Sequence, residues 1–424
     1  MEMLNNVANN SEINQAVITL GGIGSRLSTI TKGVPKPLYT IFGESTLERA
    51  IKVLKRDGIN NFIFLTGYKS DLFKIASEKY KKDYGIEIYI HSEESKKGEA
   101  GSLLDIINYL DRSFLFINGD IIFDVDINRL VRFHNINNAD ITITTHLTNH
   151  PEDSDCIIEK PSLGIFNYKF KNETKSEKGF YLGNAGIGII SKNIIETVKE
   201  NHSSKNTELS LFRDFVIYAQ NNNFRVLSYN TSEYLKDMGT PKRLSIIKDD
   251  LKKNIISKKS YVNSQKALFL DRDNTIIECN EGEYITNVDR IIILKGRIKN
   301  IIKISRDFDI ILIVSNQPQI SMGKISWQDV IKINGEIIYQ CQLIGLSISA
   351  SYICPHHSHD NFKNEIKELK VNCFCRKPKP GLFYEAAFDR NIDLKRSLMI
   401  GDSWRDEKAA NNCGVNFLHA KNLD

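Results

Sequence analysis

Two short apolar runs in this chain end abruptly in loops of glycine or carboxylate residues, and they constrain the fold more than any other feature. Residues 16–20 (AVITL) lead into Gly21 and Gly22, and Ala267–Leu270 (ALFL) leads into Asp271. In alternating α/β domains, the loop after the carboxyl end of the first strand carries binding groups. The pattern therefore predicts two such domains, one beginning near each run.

Strand-like and helix-like segments alternate along the rest of the chain. This alternation is typical of mostly parallel sheets with helices on both faces. The 424 residues have room for two to three domains of about 150 residues each. We expect a fold of two doubly wound, mostly parallel α/β domains, the first of them Rossmann-like. The expected division is a polar tail (1–13), a first domain (14–245), a Lys-rich linker (246–265) and a second domain (266–424).

Charge and apolar content narrow the class of partner. The net charge of +5 comes from scattered Lys and Arg without a basic block, which favours small phosphorylated substrates over nucleic acid. No apolar stretch approaches the roughly 18 residues that span a bilayer. The polar start of the chain lacks the apolar segment of a signal peptide. We therefore expect a cytoplasmic protein without a membrane partner, and a homo-oligomer remains open.

The first loop combines glycines with cations. Gly21, Gly22 and Gly24 allow the backbone to approach a triphosphate and direct N–H groups at it. Arg26 adds a planar fork for phosphate oxygens, and Lys36 stands between two prolines on a stiffened segment. The glycines alone would equally fit a tight turn. The loop matches neither the dinucleotide G-x-G-x-x-G pattern nor the P-loop.

This loop resembles the signature of the sugar-phosphate nucleotidyltransferases, G-G-x-G-[ST]-R-L followed by P-K-P. The resemblance covers about residues 14–250 and extends to Asn118-Gly119-Asp120, Asn184-Ala185-Gly186 and the segment YLKDMGTP at 234–241. It implies that a sugar 1-phosphate attacks the α-phosphate of a nucleoside triphosphate and that pyrophosphate leaves. Position and charge suffice for this reaction, without a covalent intermediate.

The resemblance also implies roles for single residues. Arg26 would steady the triphosphate, and Lys36 would neutralise the reacting phosphates. Asp120 and Asp237 would hold Mg²⁺, which prefers carboxylate ligands. The expected nucleotide- and substrate-binding residues are Gly21, Gly22, Gly24, Gly98, Asn118, Asn184 and Lys178.

Some positions depart from the family pattern or have a second interpretation. Glu99 stands where the base-binding loop of the family often has Thr, and this change affects the expected base contacts. Lys178, the candidate for the sugar phosphate, stands unusually close to Asn184. By itself, Asp120 would equally fit a turn cap, and Asp237 outside its motif would be unremarkable.

The second apolar run ends in a pair of carboxylates, Asp271 and Asp273. At this spacing the first can attack phosphorus, while the second protonates the leaving oxygen and later activates water. A D-x-D pair is common in loops, so the later motifs decide. They are ILIVSNQ (311–317), RKP (376–378) and MIGDSWRD (399–406).

The four motifs in order resemble the haloacid-dehalogenase superfamily over about residues 266–424. The resemblance implies that Asp271 is a nucleophile that forms an aspartyl-phosphate and that Asp273 is the general acid/base. A Mg²⁺ site would combine Asp271, Asp273 and Asp402, and Asp406 would support that loop. Lys377 would neutralise the transferring group. The other expected phosphate-binding residues are Ser315, Asn316 and Arg376.

Three cysteines and a histidine lie in one short region and fit a tetrahedral Zn²⁺ site. The expected ligands are Cys354, His356, Cys373 and Cys375, with His357 as the alternative imidazole. The spacings are tighter than in zinc fingers, so by themselves they are moderate evidence. The pattern CPHH…CxCRKPKPG is similar to the D-glycero-D-manno-heptose 1,7-bisphosphate 7-phosphatases, in which a zinc loop organises the substrate site.

The two resemblances constrain each other. A heptose 7-phosphatase yields the heptose 1-phosphate that a nucleotidyltransferase would consume. Together they imply consecutive steps toward a nucleotide-activated heptose for surface polysaccharides, with GTP and the α-anomer favoured. The resemblance to the heptose 7-phosphatases implies that Arg376 contacts the phosphate that stays on the sugar. Ser403 departs from that family, which commonly has Lys at this position. Two alternatives stay open: the same chemistries on another sugar or nucleotide, or one half as an inactive binding module.

Overall fold

The computed structural model divides into two compact units, and the main chain passes from one to the other between Ser260 and Tyr261. Both units are α/β domains, which confirms the expected fold class. The structure describes residues 13–22, 25–93, 95, 97–98, 100–148, 155–160, 165–169, 181–201, 208–280, 282–358 and 361–424. Within these ranges, no helix has the length and apolar character needed to cross a membrane.

The first unit is built on a large sheet whose centre is parallel. The strands of this unit are β1 (Gln15–Thr19), β2 (Thr40–Ile41), β3 (Glu44–Ser45), β4 (Asn61–Thr66), β5 (Glu87–Ser92), β6 (Ser113–Asn118), β7 (Ile121–Asp124), β8 (Ile141–Thr148), β9 (Cys156–Lys160), β10 (Ile165–Lys169), β11 (Tyr181–Ser191), β12 (Val226–Asn230) and β13 (Tyr234–Asp237). Two pairs of them, β2 with β3 and β7 with β13, form small separate sheets. The order in the large sheet is β10-β9-β11-β6-β1-β4-β5, with β8 between β11 and β12. Strands β6, β1, β4 and β5 are parallel, whereas β11 runs antiparallel to β6.

Helices cover both faces of this sheet. They are α1 (Ser28–Thr31), α2 (Thr46–Arg56), α3 (Ser70–Tyr84), α4 (Ile127–Ile136), α5 (Lys192–Asn201), α6 (Ile217–Asn221), α7 (Pro241–Lys252) and α8 (Ile255–Lys258). In β1, Val17 packs in one core and Ile18 in the other, because successive side chains point to opposite faces. The doubly wound arrangement follows from this alternation.

The segment 246–265, which we expected to be a linker, is largely helical and belongs to the first unit up to Ser260. Thr240 caps α7 by accepting a hydrogen bond from the Arg243 backbone N–H at 3.3 Å. Ile247 is fully buried in a core with Leu244. The high lysine content had suggested a solvated linker, but these lysines flank an amphipathic helix that completes the first unit.

The second unit has a five-stranded, fully parallel sheet in the order β16-β15-β14-β17-β18. Its strands are β14 (Ala267–Leu270), β15 (Ile310–Asn316), β16 (Ala350–Cys354), β17 (Leu398–Gly401) and β18 (Asn416–His419). Its helices are α9 (Lys295–Ser305), α10 (Trp327–Ile344), α11 (Gly381–Arg390) and α12 (Trp404–Asn411). Because all strands run the same way, the motifs at their carboxyl ends meet at one edge of the sheet.

Candidate active sites and candidate metal centre

A buried lysine lies at the centre of the site in the second unit. Lys377 Nζ donates to Asp271 Oδ1 at 2.6 Å, to Asp406 Oδ1 at 2.5 Å and to the Val314 carbonyl at 2.8 Å. Burial raises the pKa of Asp271 to about 7; the Lys377 charge opposes this rise, and Asp406 and Asp273 add to it. The ammonium therefore balances two carboxylates in a water-poor site, where its electrostatic effect is strong.

Three carboxylates form a group that fits a hard divalent cation. Oxygen atoms of Asp271, Asp402 and Asp406 lie within 4.8 Å of one another. Asp406 also accepts hydrogen bonds from the backbone N–H and the hydroxyl of Ser403, at 3.1 and 2.6 Å, at the start of α12. A Cβ on Gly401 would lie only 2.5 Å from Asp406 Cβ, so glycine is needed at the end of β17. Asp406 thus contacts both the start of α12 and the other two carboxylates of the group.

We expected Asp273 to be a carboxylate ligand of the metal, but its side chain lies outside this group. It faces the guanidinium of Arg272 instead. Arg272 is fully buried and contacts both Asp273 oxygens, Nε to Oδ1 at 2.9 Å and Nη2 to Oδ2 at 3.1 Å. Gln317 Nε2 donates to Asp273 Oδ2 at 3.2 Å. Sequence reasoning missed both Arg272 and Gln317, although each lies inside a motif that was recognised.

The neighbouring Ser315 and Asn316 have different surroundings. Ser315 Oγ accepts a hydrogen bond from Gln317 Nε2 at 2.8 Å and lies at the carboxyl end of β15. Asn316 was expected to bind the phosphoryl group, but its amide bonds the backbone of Lys377, as donor to the carbonyl and acceptor from the N–H, both at 3.0 Å. The Asn316 side chain therefore holds the lysine loop in place.

The loop after Asp273 contains Asn274, where the superfamily usually has Gly. Asn274 has a φ of 52°, the left-handed region that Asn adopts more readily than most residues. Its side-chain oxygen accepts a hydrogen bond from the Cys279 backbone N–H at 3.0 Å. The substitution is therefore compatible with the turn.

The structure brings together the four residues expected to bind zinc. Ligand atoms of Cys354, His356, Cys373 and Cys375 all lie within 4.8 Å of one another. His356 Nδ1 lies 3.2 Å from Cys375 Sγ, and Cys354 Sγ lies 3.6 Å from Cys373 Sγ. Three sulfurs and one imidazole nitrogen are the donor set of a tetrahedral Zn²⁺ site.

His357, the alternative ligand, lies outside this cluster. It is buried, its Nε2 is 3.9 Å from Glu365 Oε2, and its ring packs edge-on against Phe362. Arg376 Nη1 donates to the carbonyl of His356 at 3.0 Å. The loop that carries the cluster therefore also orients the arginine expected at the substrate.

In the first unit, Lys36 contacts Asp120 beside the small sheet that carries Asp237. Lys36 Nζ lies 3.2 Å from Asp120 Oδ2. Strand β13 pairs antiparallel with β7, and the Met238 N–H donates to the Asp120 carbonyl at 3.0 Å, so Asp237 lies next to the Asp120 loop. Asp237 Oδ1 accepts hydrogen bonds from the Gly239 N–H at 2.7 Å and from Arg243 Nη1 at 2.9 Å.

The glycine loop of the first unit approaches a second backbone segment closely. A Cβ on Gly21 would lie 3.6 Å from the Gly67 nitrogen, and 3.7 Å from Glu93 Oε2. The other oxygen of Glu93 accepts a hydrogen bond from the Ser102 hydroxyl. Glu93, at the end of β5, was missed by sequence reasoning. Its position after a strand in the same sheet is the signal that points to it. Gly22 and Arg26 are exposed.

Other expected binding residues are held by local contacts. Gly98 has a φ of 78°, and a Cβ there would overlap the backbone of Leu209. Asn184 Oδ1 accepts a hydrogen bond from the Gly186 N–H at 3.0 Å. A Cβ on Gly186 would lie 2.9 Å from Asn118 Nδ2, so glycine permits this approach. Three positions named from the sequence lie outside the described residues: Gly24, Glu99 and Lys178.

Comparison with known proteins assigns both units. Residues 15–253 match the nucleotidyl transferase family, and residues 374–421 match the HAD-hydrolase-like family. Since the first match covers more than half of the chain, the chain belongs to the nucleotidyl transferase family, fused to a HAD-like domain.

Curated relatives match each half. The D-glycero-alpha-D-manno-heptose 1-phosphate guanylyltransferase of Campylobacter jejuni is 27% identical over 48% of this chain and 93% of the relative. The D-glycero-beta-D-manno-heptose-1,7-bisphosphate 7-phosphatase of Vibrio cholerae is 32% identical over 36% of this chain and 78% of the relative. The chain spans only 61% of the mannose-1-phosphate guanylyltransferase of Mycobacterium tuberculosis, at 27% identity over 53% of this chain. Among solved structures, HddC from Yersinia pseudotuberculosis aligns with a TM-score of 0.47 and 22% identity, covering 56% of this chain and all of that one.

Proposed function

We propose that this chain is a bifunctional enzyme that makes a nucleotide-activated heptose. The second unit removes the 7-phosphate of D-glycero-D-manno-heptose 1,7-bisphosphate. The first unit transfers GMP from GTP to the resulting heptose 1-phosphate and releases pyrophosphate. The observation that carries the proposal is the buried Lys377 between Asp271 and Asp406, at 2.6 and 2.5 Å, since this arrangement suits phosphoryl transfer to a carboxylate.

In the proposed phosphatase reaction, Asp271 attacks phosphorus and the bond to the sugar oxygen breaks. Asp273 gives its proton to that oxygen, and an aspartyl-phosphate forms on Asp271. Asp273 then takes a proton from water, whose oxygen attacks phosphorus and releases phosphate from Asp271. Lys377 and Ser315 neutralise and bind the transferring group. Asp271, Asp402 and Asp406 would hold Mg²⁺, which supplies further charge neutralisation.

The proposed structural Zn²⁺ would be bound by the cluster Cys354, His356, Cys373 and Cys375. The hydrogen bond between Cys375 and Cys354, together with those to Cys373 and His356, lowers the pKa of Cys375 to about 5 although burial opposes this. A thiolate at this position suits a metal ligand. The role of the cluster is to hold the loop that orients Arg376 toward the phosphate that stays on the sugar.

In the proposed nucleotidyl transfer, the chain positions two charged substrates without forming a covalent bond to either. Asp120 and Asp237 would hold Mg²⁺, which offsets the charge of the triphosphate. Lys36 lies beside Asp120 and binds the reacting phosphates, and Arg26 steadies the triphosphate. Gly21 and Gly22 let the nucleotide lie against the backbone.

Glu93 supports guanine as the base. Its carboxylate lies beside the close approach of Gly21 and Gly67, next to the glycine loop proposed to bind the nucleotide. A carboxylate only accepts hydrogen bonds, and the edge of guanine presents N1–H and the 2-amino group as two adjacent donors. Adenine offers a single amino donor beside an acceptor nitrogen, so it matches Glu93 less well.

The guanylyl transfer step determines which anomer of the heptose phosphate the chain uses. The matched phosphatase of Vibrio cholerae is named for the β-anomer and the matched guanylyltransferase of Campylobacter jejuni for the α-anomer. In a fused pair both units must accept the same anomer, and we propose the α form. The product is then GDP-D-glycero-α-D-manno-heptose, a donor for surface polysaccharides.

The test is to incubate the full chain with the α or the β heptose 1,7-bisphosphate, GTP and Mg²⁺, and to follow the phosphorus NMR spectrum. We expect phosphate, pyrophosphate and GDP-heptose from the α-anomer. Mannose 1-phosphate is added in a competition arm. Phosphate without GDP-heptose from either anomer would refute the coupled function. Preferred use of mannose 1-phosphate would refute the heptose assignment of the first unit.

A further inference from the structure

Two glutamines beside the site of the second unit are completely buried and have no role in the mechanism above. Gln317 and Gln319 follow β15 directly, and neither has exposed surface. Gln317 Nε2 donates to Asp273 Oδ2 at 3.2 Å and to Ser315 Oγ at 2.8 Å. One amide group therefore contacts both the residue that moves the proton and a residue that binds the phosphoryl group.

The direction of these hydrogen bonds is fixed by chemistry. Arg272 contacts both oxygens of Asp273, and the ionised form of Asp273, which takes a proton from water in the second step, only accepts hydrogen bonds. The atom of Gln317 that faces it must therefore be the nitrogen. The oxygen of Gln317 then faces Gln319 and accepts a hydrogen bond from Gln319 Nε2. Hence the orientation of the amide follows from its partners.

The same constraint sets the polarity of the Ser315 hydroxyl. A hydroxyl carries one donor hydrogen and two acceptor lone pairs. Because Ser315 Oγ accepts from Gln317, its hydrogen stays available for another acceptor. An incoming phosphoryl oxygen is such an acceptor, and a donor already set toward it needs no reorientation when the substrate binds.

We infer that Gln317 is a positioning residue of the phosphatase reaction. It fixes Ser315 as a hydrogen-bond donor to the phosphoryl group and holds Asp273 in place for proton exchange with the leaving oxygen. Gln319 fixes the orientation of the Gln317 amide, and Arg272 holds the other side of Asp273. This inference rests on the phosphatase activity proposed above.

The first test compares leaving groups in the full chain carrying Gln317→Leu. A sugar alkoxide needs a proton as it leaves, whereas p-nitrophenolate does not. We expect kcat for heptose bisphosphate to fall about 10- to 100-fold, less than the roughly 100- to 10,000-fold contribution of a general acid, because Asp273 itself is still present. The fall for p-nitrophenyl phosphate should be at least about tenfold smaller. Equal losses for both substrates would overturn the role in holding Asp273.

The second test addresses hydrogen-bond polarity, with orthovanadate as a phosphate-like inhibitor. Gln317→Glu keeps the shape but presents acceptors only, so Ser315 must donate to it and no longer to the ligand. We expect the inhibition constant to rise more for Gln317→Glu than for Gln317→Leu. In the Ser315→Ala variant, the further change Gln317→Leu should weaken vanadate binding by less than about twofold. Gln317 acts on the ligand through the Ser315 hydroxyl, which is then already absent, so the two effects do not add. An unchanged inhibition constant in both single variants would overturn the polarity argument.

The matched control is Gln340→Leu on α10, whose amide bonds Glu336 on the same helix at 2.7 Å. It should leave both activities and vanadate inhibition unchanged. Melting temperatures show whether each variant is folded, and Gln317→Leu carries the test if Gln317→Glu does not fold. If the wild type hydrolyses neither substrate, the proposed phosphatase function fails. If it hydrolyses both and the ratio does not change in Gln317→Leu, only the positioning role fails.

Discussion

The charged groups of the two sites differ in burial, and this difference predicts how each site responds to mutation. In the second unit, the side chains of Lys377 and Asp406 are 3% and 1% exposed. In the first unit, the side chains of Asp120 and Asp237 are 36% and 41% exposed. A buried ion pair that loses one partner leaves an unbalanced charge in a poor solvent, whereas water screens an exposed pair. We therefore expect the loss of a charged group to destabilise the second unit more than the first.

The largest expected effect comes from Lys377→Met. It leaves Asp271 and Asp406 buried without their cation, and we expect the second unit to lose about 3–5 kcal/mol in free energy of unfolding. Phosphate release should disappear, while guanylyl transfer continues. Thermal unfolding followed by calorimetry, with both activity assays, checks this. A second unit as stable as the wild type would contradict the comparison.

Lys36→Met is the matched change in the first unit. We expect guanylyl transfer to fall at least about 100-fold, since the lysine offsets charge on the reacting phosphates. The free energy of unfolding should change by less than about 1 kcal/mol, because Asp120 is left facing water. The measurements are pyrophosphate release and the unfolding transition of the first unit. A loss of stability as large as that of Lys377→Met would show that burial does not separate the two sites.

Glu93→Gln should have an intermediate effect, confined to nucleotide choice. The amide keeps one acceptor but places a donor against guanine. We expect kcat/KM for GTP to fall about tenfold, or roughly 1.4 kcal/mol, close to the lower end for a hydrogen bond to a charged group. ITP, which lacks the 2-amino group, should be affected less. An equal loss with GTP and ITP would show that Glu93 does not contact the 2-amino group, and phosphate release serves as the internal control.

The smallest effect concerns the pH dependence of stability in the first unit. Burial lowers the pKa of His134 to about 4, and its Nδ1 lies 2.9 Å from Thr142 Oγ1. The unfolded chain therefore takes up a proton on His134 below about pH 6.5, whereas the folded unit takes it up only near pH 4. The free energy of unfolding therefore falls as the pH drops from about 6.5 to about 4. At about pH 5.8 the loss is about 1 kcal/mol relative to pH 8. In His134→Gln, this part of the pH dependence should vanish.

Sequence reasoning found the ends of the strands well, because function there depends on residue type and spacing. Asp271, Lys377 and Asp402, together with the cysteine cluster, meet as their motifs suggested. The roles of Asn316 and Gln317 depend on which way an amide points, and a motif does not encode this.

The end of the first unit is hard to place from the sequence, because a lysine-rich amphipathic helix has the composition of a linker. Burial of Ile247 distinguishes the two, and burial requires coordinates. Glu93 shows the same limit at a binding site. Its neighbours Gly21 and Gly67 come together only when two strands pair.

The strand that holds Ser315 is also the strand beside the cysteine cluster. Strand β15 pairs with β16 so that Asn316 lies opposite Cys354, and the Gln317 N–H donates to the Cys354 carbonyl at 2.7 Å. A metal ion that fixes Cys354 would therefore also fix the register of the phosphate-binding turn. Thermodynamic linkage makes such an effect reciprocal. A phosphate analogue at Ser315 should then slow the loss of the ion to a chelator.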